Sequence, residues 1–481
     1  MENKRKLSVF LILLSVILVL ACGIYGYTAG EEYDLINALW YTIKLFFGDA
    51  GPYSNNLFVN IAKFGALIIS ASFVISLVNK LSESISDFFA GRKRNSIFVY
   101  GDSDYSREFI NSAKNTIINR PSLKKASKYV LLSDDEDNMS FYENNKDFFK
   151  NKTVYIKNSV FSNTIIGDHH FFSLEQIAAR KYWRENSLIE CAFDEKGQPK
   201  KELTISVIGN TPLSEHILFE AVITKIFDAQ QKVSYHLFGD WGTFIKTHIN
   251  SGKLGFVYHE TDYLDNLDVV SSSDVVLFFN DDRELNCLLQ VLPQGNIVVF
   301  TASGINEELF EDLAYGRNNR IQLKVFNYLE GICNEDEIIN ERSLIDAKKL
   351  NYNYYLNVGG DRNSSINDEW AKLSSFHKLS NLACVDYYNF TVTRLLEKLT
   401  RKKYSDISDK EFERQLEHLS ELEHIRWCNF HYFCNWVYSP HTDKKAKIHN
   451  CLVSYDKLSR EEQLKDAVQL KEIRGLKEKL E

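Results

Sequence analysis

Two long apolar segments lie close together in the N-terminal part of the sequence and restrict what this part can fold into. The segment from Leu7 to Gly30 contains no charged residue, and a second segment from about Leu57 to Val78 contains only Lys63. An α-helix rises about 1.5 Å per residue, so each segment is long enough to cross a hydrocarbon layer of about 30 Å. The sequence therefore predicts a two-pass membrane module over residues 1–90.

Basic residues flank the two segments on the sides away from the connecting loop, and the loop itself is mostly acidic. The flanking cations are Lys4, Arg5, Lys6, Lys80, Arg92, Lys93 and Arg94. By the positive-inside rule both termini then lie in the cytoplasm of a bacterial inner membrane, with membrane lipid as a partner. A cleaved signal peptide is the alternative for the first segment, and the second apolar segment argues against it.

The loop between the segments carries an amphipathic, aromatic stretch, DLINALWYTIKLFF, followed by a Gly-rich turn. This order of helix, short helix, turn and helix, with the run ALWYT before Gly48-Asp49, resembles the pore domain of the potassium-channel superfamily. The resemblance implies a short re-entrant helix and a pore. Non-helical backbone at membrane depth is tolerated only where it lines a cavity or is buried in protein.

The family's TVGYG selectivity sequence is absent, and the loop is about four residues too short to hold its carbonyl rings. We therefore predict a weakly selective pore, with Lys44, Asp49 and Lys63 as candidate pore residues. Two alternatives stay open. The loop helix can lie outside the membrane without a pore role, and the Lys63 ammonium can reach the interface instead of the pore.

The remaining residues, about 400 of the 481, have the composition of globular protein, with a net charge of -8 for the whole chain. At about 100–200 residues per domain, length predicts roughly three domains. The acidic balance excludes a basic nucleic-acid-binding surface spread over the whole chain. The eight cysteines contain no C-x-x-C pair, which favours reduced thiols in the cytosol.

A strand–glycine turn–helix unit occurs twice, as SIFVYGDSDYSREF and as ISVIGNTPLSEHI. In the first copy we predict a strand over Ser96–Tyr100 and a helix that begins near Ser106. Each copy is followed by a second predicted strand that ends in an acid at a similar distance, which pairs Asp134 with Asp240. The alternation of strands and helices predicts parallel sheets covered on both faces. The candidate ligand-binding residues are Gly101, Ser103, Ser106, Asp134, Gly209, Thr211, Ser214 and Asp240.

This region resembles the regulator of potassium conductance family, whose Rossmann-like nucleotide-binding domains follow a pore. The resemblance implies tandem domains over residues 95–200 and 201–362. Only the first glycine of the G-x-G-x-x-G fingerprint is kept in each copy, so the hydroxyl groups either donate to a phosphate or only cap the helix. We expect no tightly bound cofactor and no enzymatic activity. A membrane-bound oxidoreductase is a third, disfavoured hypothesis.

The C-terminal part, residues 366–481, carries a recognisable set of residues: Glu423, His424, Arg426, Trp427, Trp436, Tyr438, Lys447, His449, Leu452, Val453, Tyr455, Leu458 and Asp466. With these residues it closely resembles the RyR domain, named for repeats in the animal ryanodine receptor. The usual glycine before the second tryptophan is Asn435 here. The resemblance implies a ligand of the adenine-nucleotide type. Aromatic groups beside lysines suit a base and a phosphate, and the alternative is a solvated basic loop.

Within this part the candidate ligand-binding residues are Arg426, Trp436, Tyr438, Lys447, His449 and Tyr455. The helical spacing places Trp427 on an apolar face, so we interpret it as a core residue. His424, Cys428, His431 and Cys434 lie on one predicted helix. One helix cannot surround a tetrahedral ion, so we predict no metal site.

Taken together, the sequence predicts an α/β protein with N-terminal membrane helices, two tandem Rossmann-like parallel-sheet domains and a C-terminal α-helical RyR-type domain. The predicted function is a ligand-gated homotetrameric ion channel that senses a nucleotide or oligonucleotide second messenger. Such an arrangement resembles bacterial anti-phage effectors that depolarise the membrane, with a signal-producing nucleotidyltransferase encoded nearby. The alternative is a membrane-anchored nucleotide sensor or scaffold without conductance.

Overall fold

The computed structural model describes residues 2–162, 164–292, 297–302, 322–327, 329, 331–357 and 359–477. The chain forms two compact units, Met1–Lys93 and Arg94–Glu481. Each unit is described by itself below.

Three helices form the first unit: α1 (Glu2–Tyr25), α2 (Leu35–Leu45) and α3 (Leu57–Ala90). Helix α1 continues through a π-helical turn, Gly26–Gly30. Asp34 caps α2 and Asn56 caps α3 by accepting hydrogen bonds from backbone N–H groups of the first turn. Two stretches, Ile12–Gly30 and Leu57–Asn79, are long and apolar enough to cross a membrane.

Small residues let the helices of this unit approach closely. A Cβ atom added at Gly23 of α1 would lie 2.4 Å from Cγ2 of Thr42 on α2, and one added at Gly65 of α3 would lie 2.5 Å from Cγ2 of Val19. Close backbone approach through glycine is typical of helices packed in membranes. The large apolar side chains on the outer faces, such as Phe73 at 68% exposure, require an apolar surrounding or partner helices.

The first sheet of the second unit has the order β2-β1-β3-β4-β6-β5. All neighbouring strands are parallel except the antiparallel β5–β6 pair at one edge. The strands are β1 (Ile97–Tyr100), β2 (Ile117–Asn119), β3 (Lys128–Leu131), β4 (Val154–Lys157), β5 (Ile165–Ile166) and β6 (His169–Phe172). The helices of this region are α4 (Asp104–Ser112), α5 (Asp135–Asn144), α6 (Lys146–Phe149), α7 (Leu174–Glu185) and α8 (Ile189–Ala192).

The second sheet is wholly parallel, with the order β12-β11-β10-β7-β8-β9. With β7 counted as strand 1 and the sheet read from the β9 edge, this is the 3-2-1-4-5-6 strand order of Rossmann folds. The strands are β7 (Glu202–Ile208), β8 (Lys232–Phe238), β9 (Phe256–His259), β10 (Val275–Phe278), β11 (Ile297–Ala302) and β12 (Gln322–Asn327). The helices are α9 (Pro212–Thr224), α10 (Gly242–Thr247), α11 (Leu267–Ser272) and α12 (Asp282–Val291). The predicted Rossmann-like parallel sheets are thus confirmed.

The acids of the two predicted repeat copies occupy different places in their sheets. Right-handed crossovers put β2 beside β1 and β8 beside β7 on equivalent sides. Strand β3, which precedes Asp134, pairs with β1 on the opposite side and therefore corresponds to β10, not to β8. The predicted equivalence of Asp134 and Asp240 is wrong. The similar spacing of the two acids along the chain was misleading, because the first copy has an additional strand, β2, between its glycine turn and Asp134.

Helices make up most of the remaining chain: α13 (Glu335–Ile338), α14 (Ile345–Asn357), α15 (Ile366–Lys372), α16 (Ser375–Tyr387), α17 (Thr393–Thr400), α18 (Asp409–Phe433) and α19 (Arg460–Lys477). A π-helical segment, Tyr388–Val392, joins α16 to α17, and two short parallel strands, β13 (Val437–Tyr438) and β14 (Ile448–His449), follow α18. Ser408 and Glu411 close a capping box at the start of α18.

An extended hydrophobic core runs through the second unit, from Ile97 of the first sheet to Leu476 of α19. A separate core, which includes Ile208 and Leu288, lies at the second sheet. Helix α9 lies at the centre of the extended core, with apolar residues on all sides and Leu218 and Ile223 fully buried. A helix that is apolar all round is typical of a buried core position. The three predicted cytosolic domains therefore share a core, and their division at residues 200 and 366 stays a prediction.

Candidate functional site

In the first unit, two side chains of α3 hold the loop that follows α2. The Lys63 ammonium donates a hydrogen bond of 2.8 Å to the Pro52 carbonyl oxygen, and the Ser70 hydroxyl donates one of 2.7 Å to the Phe46 carbonyl oxygen. This contact lies within one chain, and the two predicted arrangements of Lys63, facing a pore or reaching the interface, stay predictions. The contact fixes the backbone after the Gly-rich turn.

The other two candidate pore residues form a partly exposed pair at the end of α2. The Lys44 ammonium lies 3.3 Å from the Asp49 carboxylate, with 36% and 50% of the two side chains exposed. The Asp49 carboxylate also accepts a hydrogen bond from the Gly51 N–H. These contacts fold the turn over the C-terminal end of α2, and the pore role of all three residues stays a proposal.

At the first glycine turn, the hydroxyl groups are used to begin α4. The Ser103 hydroxyl accepts from the Ser106 N–H at 3.2 Å and donates to the Leu132 carbonyl at 2.5 Å. The buried Ser106 hydroxyl donates back to the Ser103 carbonyl at 2.8 Å. Helix α4 begins at Asp104, two residues before the predicted start. These bonds are those of helix capping, the second of the two predicted uses.

The second glycine turn repeats this arrangement around α9. The Thr211 N–H donates to the Ser214 hydroxyl at 2.7 Å, and the Ser214 N–H donates to the Thr211 hydroxyl at 3.1 Å. Pro212, the next residue, has no N–H to offer. A Cβ atom at Gly209 would lie 2.2 Å from Oδ1 of Asn280, so the turn is crowded. Few backbone N–H groups of this turn are therefore free to donate a hydrogen bond to a phosphate.

Charge also disfavours a phosphate at the first turn. Asp102 and Asp104 lie in the turn itself, and the exposed Asp134 follows the neighbouring strand β3. Arg107 bridges Asp102 and Asp104 at 3.3 and 3.1 Å. In the second copy, Asp240 is exposed at the carboxyl end of β8. The carboxylates at these edges would repel an anion and accept hydrogen bonds from hydroxyl groups.

In the C-terminal part, two predicted ligand residues lie inside the protein. The Trp436 side chain is 6% exposed and packs with Cys428 and Leu452. The Arg426 guanidinium is fully buried and bonded twice to Glu423, at 2.7 and 3.0 Å. The predicted roles of the two tryptophans are reversed, because Trp427 is partly exposed and Trp436 is the core residue. A short loop after α18 turns Trp436 towards the core. Helical periodicity does not predict which side chains of a loop are buried.

Asn435 explains why a glycine is usual at its position. Its φ is +63°, in the left-handed region where asparagine is tolerated better than most residues. The Asn435 side chain also accepts from the Ile249 N–H at 3.0 Å and donates to the Thr247 carbonyl at 2.8 Å. Lys447, a predicted ligand residue, donates to the Cys434 carbonyl at 3.1 Å. This departure from the family pattern thus joins the C-terminal part to the segment after α10.

The other predicted residues form a partly exposed aromatic face. The ring of Trp427 lies 4.9 Å from that of His449, and the ring of Tyr455 lies 6.0 Å from that of His424. Tyr438 is half exposed on β13, which pairs with the strand that carries His449. The loop before β14 carries exposed lysines, among them Lys444, Lys445 and Lys447. An aromatic face beside cations is able to stack a base and hold a phosphate.

Two histidines behind this face have opposite charge states. Burial lowers the pKa of His431 to about 3. Burial also lowers the pKa of His424, but its contacts with Asp466, Cys428 and the Val453 carbonyl outweigh burial and raise the pKa to about 10. The His424 ring donates to the Val453 carbonyl at 2.8 Å and lies 3.6 Å from the Asp466 carboxylate. His424 is therefore a buried cation that ties α18 to α19 at neutral pH.

No sequence pattern indicated a pocket that lies between α7, residues 337–349 and residues 385–390. Its volume is about 510 Å³, within the range of small-molecule sites. We name it the cationic pocket. Its charged lining residues are Arg180, Lys181, Arg184, Glu337, Arg342, Asp346, Lys349 and Asp386. Only the basic run of α7 is visible in the sequence, because the other contributors lie about 150–200 residues away and meet it through tertiary folding.

Comparisons with known proteins agree with the C-terminal assignment. The RyR domain family matches residues 406–476, which confirms the predicted RyR domain within the C-terminal part. No curated protein sequence matches the chain.

Solved structures show weak similarity to the chain. A crystal structure of a GsuK mutant is 13% identical, covers 70% of this chain and 99% of its own, and has a TM-score of 0.32. The GsuK channel bound to NAD is 11% identical, and the match covers 72% of this chain and 86% of the GsuK chain, with a TM-score of 0.33. A D-2-hydroxyisocaproate dehydrogenase is 13% identical, and the match covers 64% of this chain and 97% of the dehydrogenase chain, with a TM-score of 0.22. At such TM-scores these matches support no statement about function.

Replacing Trp436 by Ala should destabilise the second unit by about 3–5 kcal/mol, because it empties a buried site next to Cys428 and Leu452. Tyr438→Ala, at a half-exposed position, should change the free energy of unfolding by about 0.5 kcal/mol or less. Denaturant unfolding of the detergent-solubilised protein measures both. Equal stability of the Trp436→Ala variant and the wild type would show that Trp436 is not a core residue.

The His424–Asp466 contact should make stability depend on pH. The pKa of His424 is about 10 in the folded protein and about 6.5 when unfolded. The charged form therefore stabilises the fold fully below about pH 6.5, and this contribution is lost as the pH rises towards 10. Asp466→Asn should cost about 1.5–3 kcal/mol at pH 6.

The stability difference between the wild type and Asp466→Asn should then shrink steadily as the pH is raised from 6 to 10. Asp456→Asn, at an exposed position, is the control and should give a small difference that does not depend on pH over this range. A difference for Asp466→Asn that stays constant from pH 6 to pH 10 would refute the charged His424.

Proposed function

We propose that this protein is a ligand-gated oligomeric ion channel whose cytosolic Rossmann and RyR parts sense a nucleotide-type signal. Binding in the cytosolic unit shifts that unit between two arrangements, and α3 transmits the change to the pore. Gating of this kind requires only that the ligand bind one arrangement more tightly than the other.

The observation that carries the proposal is the pairing of two bilayer-length helices with an intervening helix and turn. Spans Ile12–Gly30 and Leu57–Asn79 enclose α2 and the loop tied down by Lys63 and Ser70. A simple anchor needs no inserted helix with an ordered turn, whereas a pore does. The outward apolar faces of these helices are suited to contact with lipid and with other subunits.

The cytosolic unit supports the sensing half of the proposal. Helix α3 ends at Ala90 and β1 begins at Ile97, so a short link joins the second span to the first sheet. The second sheet has the strand order of dinucleotide-binding folds. The RyR domain adds an aromatic face beside lysines. The aromatic face is able to stack a base and hold a phosphate, and the second sheet shares its strand order with folds that bind dinucleotides.

The proposal has finer parts. We propose a homotetramer in a bacterial inner membrane, with both termini in the cytoplasm, as the basic flanks favour. We further propose a role in anti-phage defence, in which the pore depolarises the cell in response to a second messenger made by a neighbouring nucleotidyltransferase. This part rests on resemblance of architecture, which is an analogy.

A membrane-anchored sensor without conductance is the second candidate, and one observation favours it. The carbonyl oxygens of Phe46 and Pro52 accept hydrogen bonds from Ser70 and Lys63 of the same chain. Carbonyl groups used in this way do not line an ion path. In the channel, these two hydrogen bonds hold the pore closed. In the anchored sensor, they only stabilise the loop.

Planar-bilayer recording of the purified full-length protein tests the proposal. Unitary currents should appear or disappear when ATP, NAD or cyclic adenylates are added to the cytoplasmic side. Lys63→Met and Ser70→Ala, which release the Pro52 and Phe46 carbonyls, should change the unitary conductance. Ser72→Ala, on an exposed face of α3, is the matched control and should leave it unchanged.

Absence of unitary current, with incorporation verified by flotation of the proteoliposomes, would contradict the channel and favour the anchored sensor. Currents that are identical in the Lys63→Met, Ser70→Ala and wild-type proteins would show that the braced loop lies away from the ion path.

A further inference from the structure

The cationic pocket lies apart from both glycine turns and from the aromatic face. Five basic and three acidic side chains line it, and Arg180 is fully engaged with Asp386 through bonds of 2.5 and 2.8 Å. Of the remaining charges, four are positive and two, those of Glu337 and Asp346, are negative. The lining is thus net positive in a chain whose net charge is -8.

Three of these cations are available to a ligand. Within the described part of the chain, the side chains of Arg184, Arg342 and Lys349 form no salt bridge. Arg184 and Arg342 are exposed at the rim, and Lys349 is partly buried. Unpaired cations gathered around one concave surface attract a multiply charged anion, and arginine forks match phosphate oxygens.

Two residues of the lining carry acceptors that the protein leaves unsatisfied. Glu337 Oε2 and Asn389 Oδ1 are buried, and neither accepts a hydrogen bond from any residue that the structure describes. A buried acceptor without a donor costs about 1–3 kcal/mol. An inorganic phosphate dianion offers no useful donor to these oxygens, whereas ribose hydroxyl groups and the amino groups of bases do.

Apolar side chains complete the lining. Ile177, Ile345, Val385 and Phe390 contribute to the same wall as the polar groups. Small-molecule sites commonly combine an apolar wall with a few placed polar groups. Cations, unsatisfied acceptors and an apolar wall are the three kinds of group that phosphates, sugar and base require.

We infer that the cationic pocket binds a nucleotide that carries two or more phosphates. Arg184, Arg342 and Lys349 hold the phosphates, Glu337 and Asn389 accept from ribose or base, and the apolar wall contacts the base. The inference deepens the proposed function and rests on it, since it gives the sensed nucleotide a place in the cytosolic unit. Binding itself does not depend on conductance.

Calorimetric titration of the full-length protein in detergent tests the inference, with ATP, GTP and inorganic tripolyphosphate as probes. The wild type should bind at least one of the two nucleotides more tightly than tripolyphosphate, and raised salt should weaken all binding. The double variant Arg184→Gln/Arg342→Gln should weaken nucleotide and tripolyphosphate binding at least about tenfold, as the loss of two charged contacts implies.

Two further variants are informative. One distinguishes contacts to the nucleoside from contacts to the phosphates, and the other is a control outside the pocket. Asn389→Ala should weaken nucleotide binding and leave tripolyphosphate binding unchanged. Arg414→Gln removes an exposed arginine of α18, outside the pocket, and should leave both affinities unchanged. Thermal unfolding of each variant verifies that it is folded.

The inference is overturned if the wild type binds neither nucleotide, or if the double variant binds as the wild type does. It is also overturned if Tyr438→Ala abolishes nucleotide binding while the double variant retains it, because the aromatic face is then the site. Nucleotide binding as described in a protein that conducts no current would leave the pocket in place and remove only the channel.

Discussion

Helix α9 is the element on which the rest of the second unit depends, because side chains from distant segments satisfy its C-terminal carbonyl groups. The Asn429 amide of α18 donates to the Val222 carbonyl at 3.2 Å, and the Thr391 hydroxyl donates to the Thr224 carbonyl. Tyr387 donates to the Ile226 carbonyl at 3.1 Å. The last turn of a helix has no partners within the helix. The C-terminal part thus completes a Rossmann helix, and neither would be well satisfied without the other.

Buried charges reinforce this dependence. Arg180 of α7 bonds to Asp386 of α16 and to the Ser343 carbonyl, and so joins three segments. Nearby in the core, burial lowers the pKa of Lys225 to about 7, and its ammonium lies 4.2 Å from the Trp183 ring. Breaking one partner of a buried pair costs about 3–5 kcal/mol. A change in the α7–α16 contact therefore affects the whole unit, and the cationic pocket lies at this junction.

Sequence patterns predicted the elements better than their arrangement. Apolar runs predicted both bilayer-length helices and the central strands, and residue-by-residue likeness predicted the RyR domain, because these signals are local. Three features could not be predicted, because each depends on neighbours in the folded chain. They are the position of β3 in its sheet, the burial of Trp436 and the hydrogen bond from Lys63 to Pro52. The cationic pocket was missed for the same reason: Arg184 and Asn389 are remote in the chain and adjacent only once it is folded.

The two sheets and the C-terminal helices should unfold as one unit around α9, because the core of the second unit is shared among them. Native-state hydrogen exchange of the full-length protein, followed by mass spectrometry at increasing denaturant, measures it directly. Amides of β7, α9, α16 and α18 are expected to converge on one opening free energy. Opening of α16 and α18 at lower denaturant, while β7 and α9 stay protected, would contradict the shared core and would make the RyR part an independent domain.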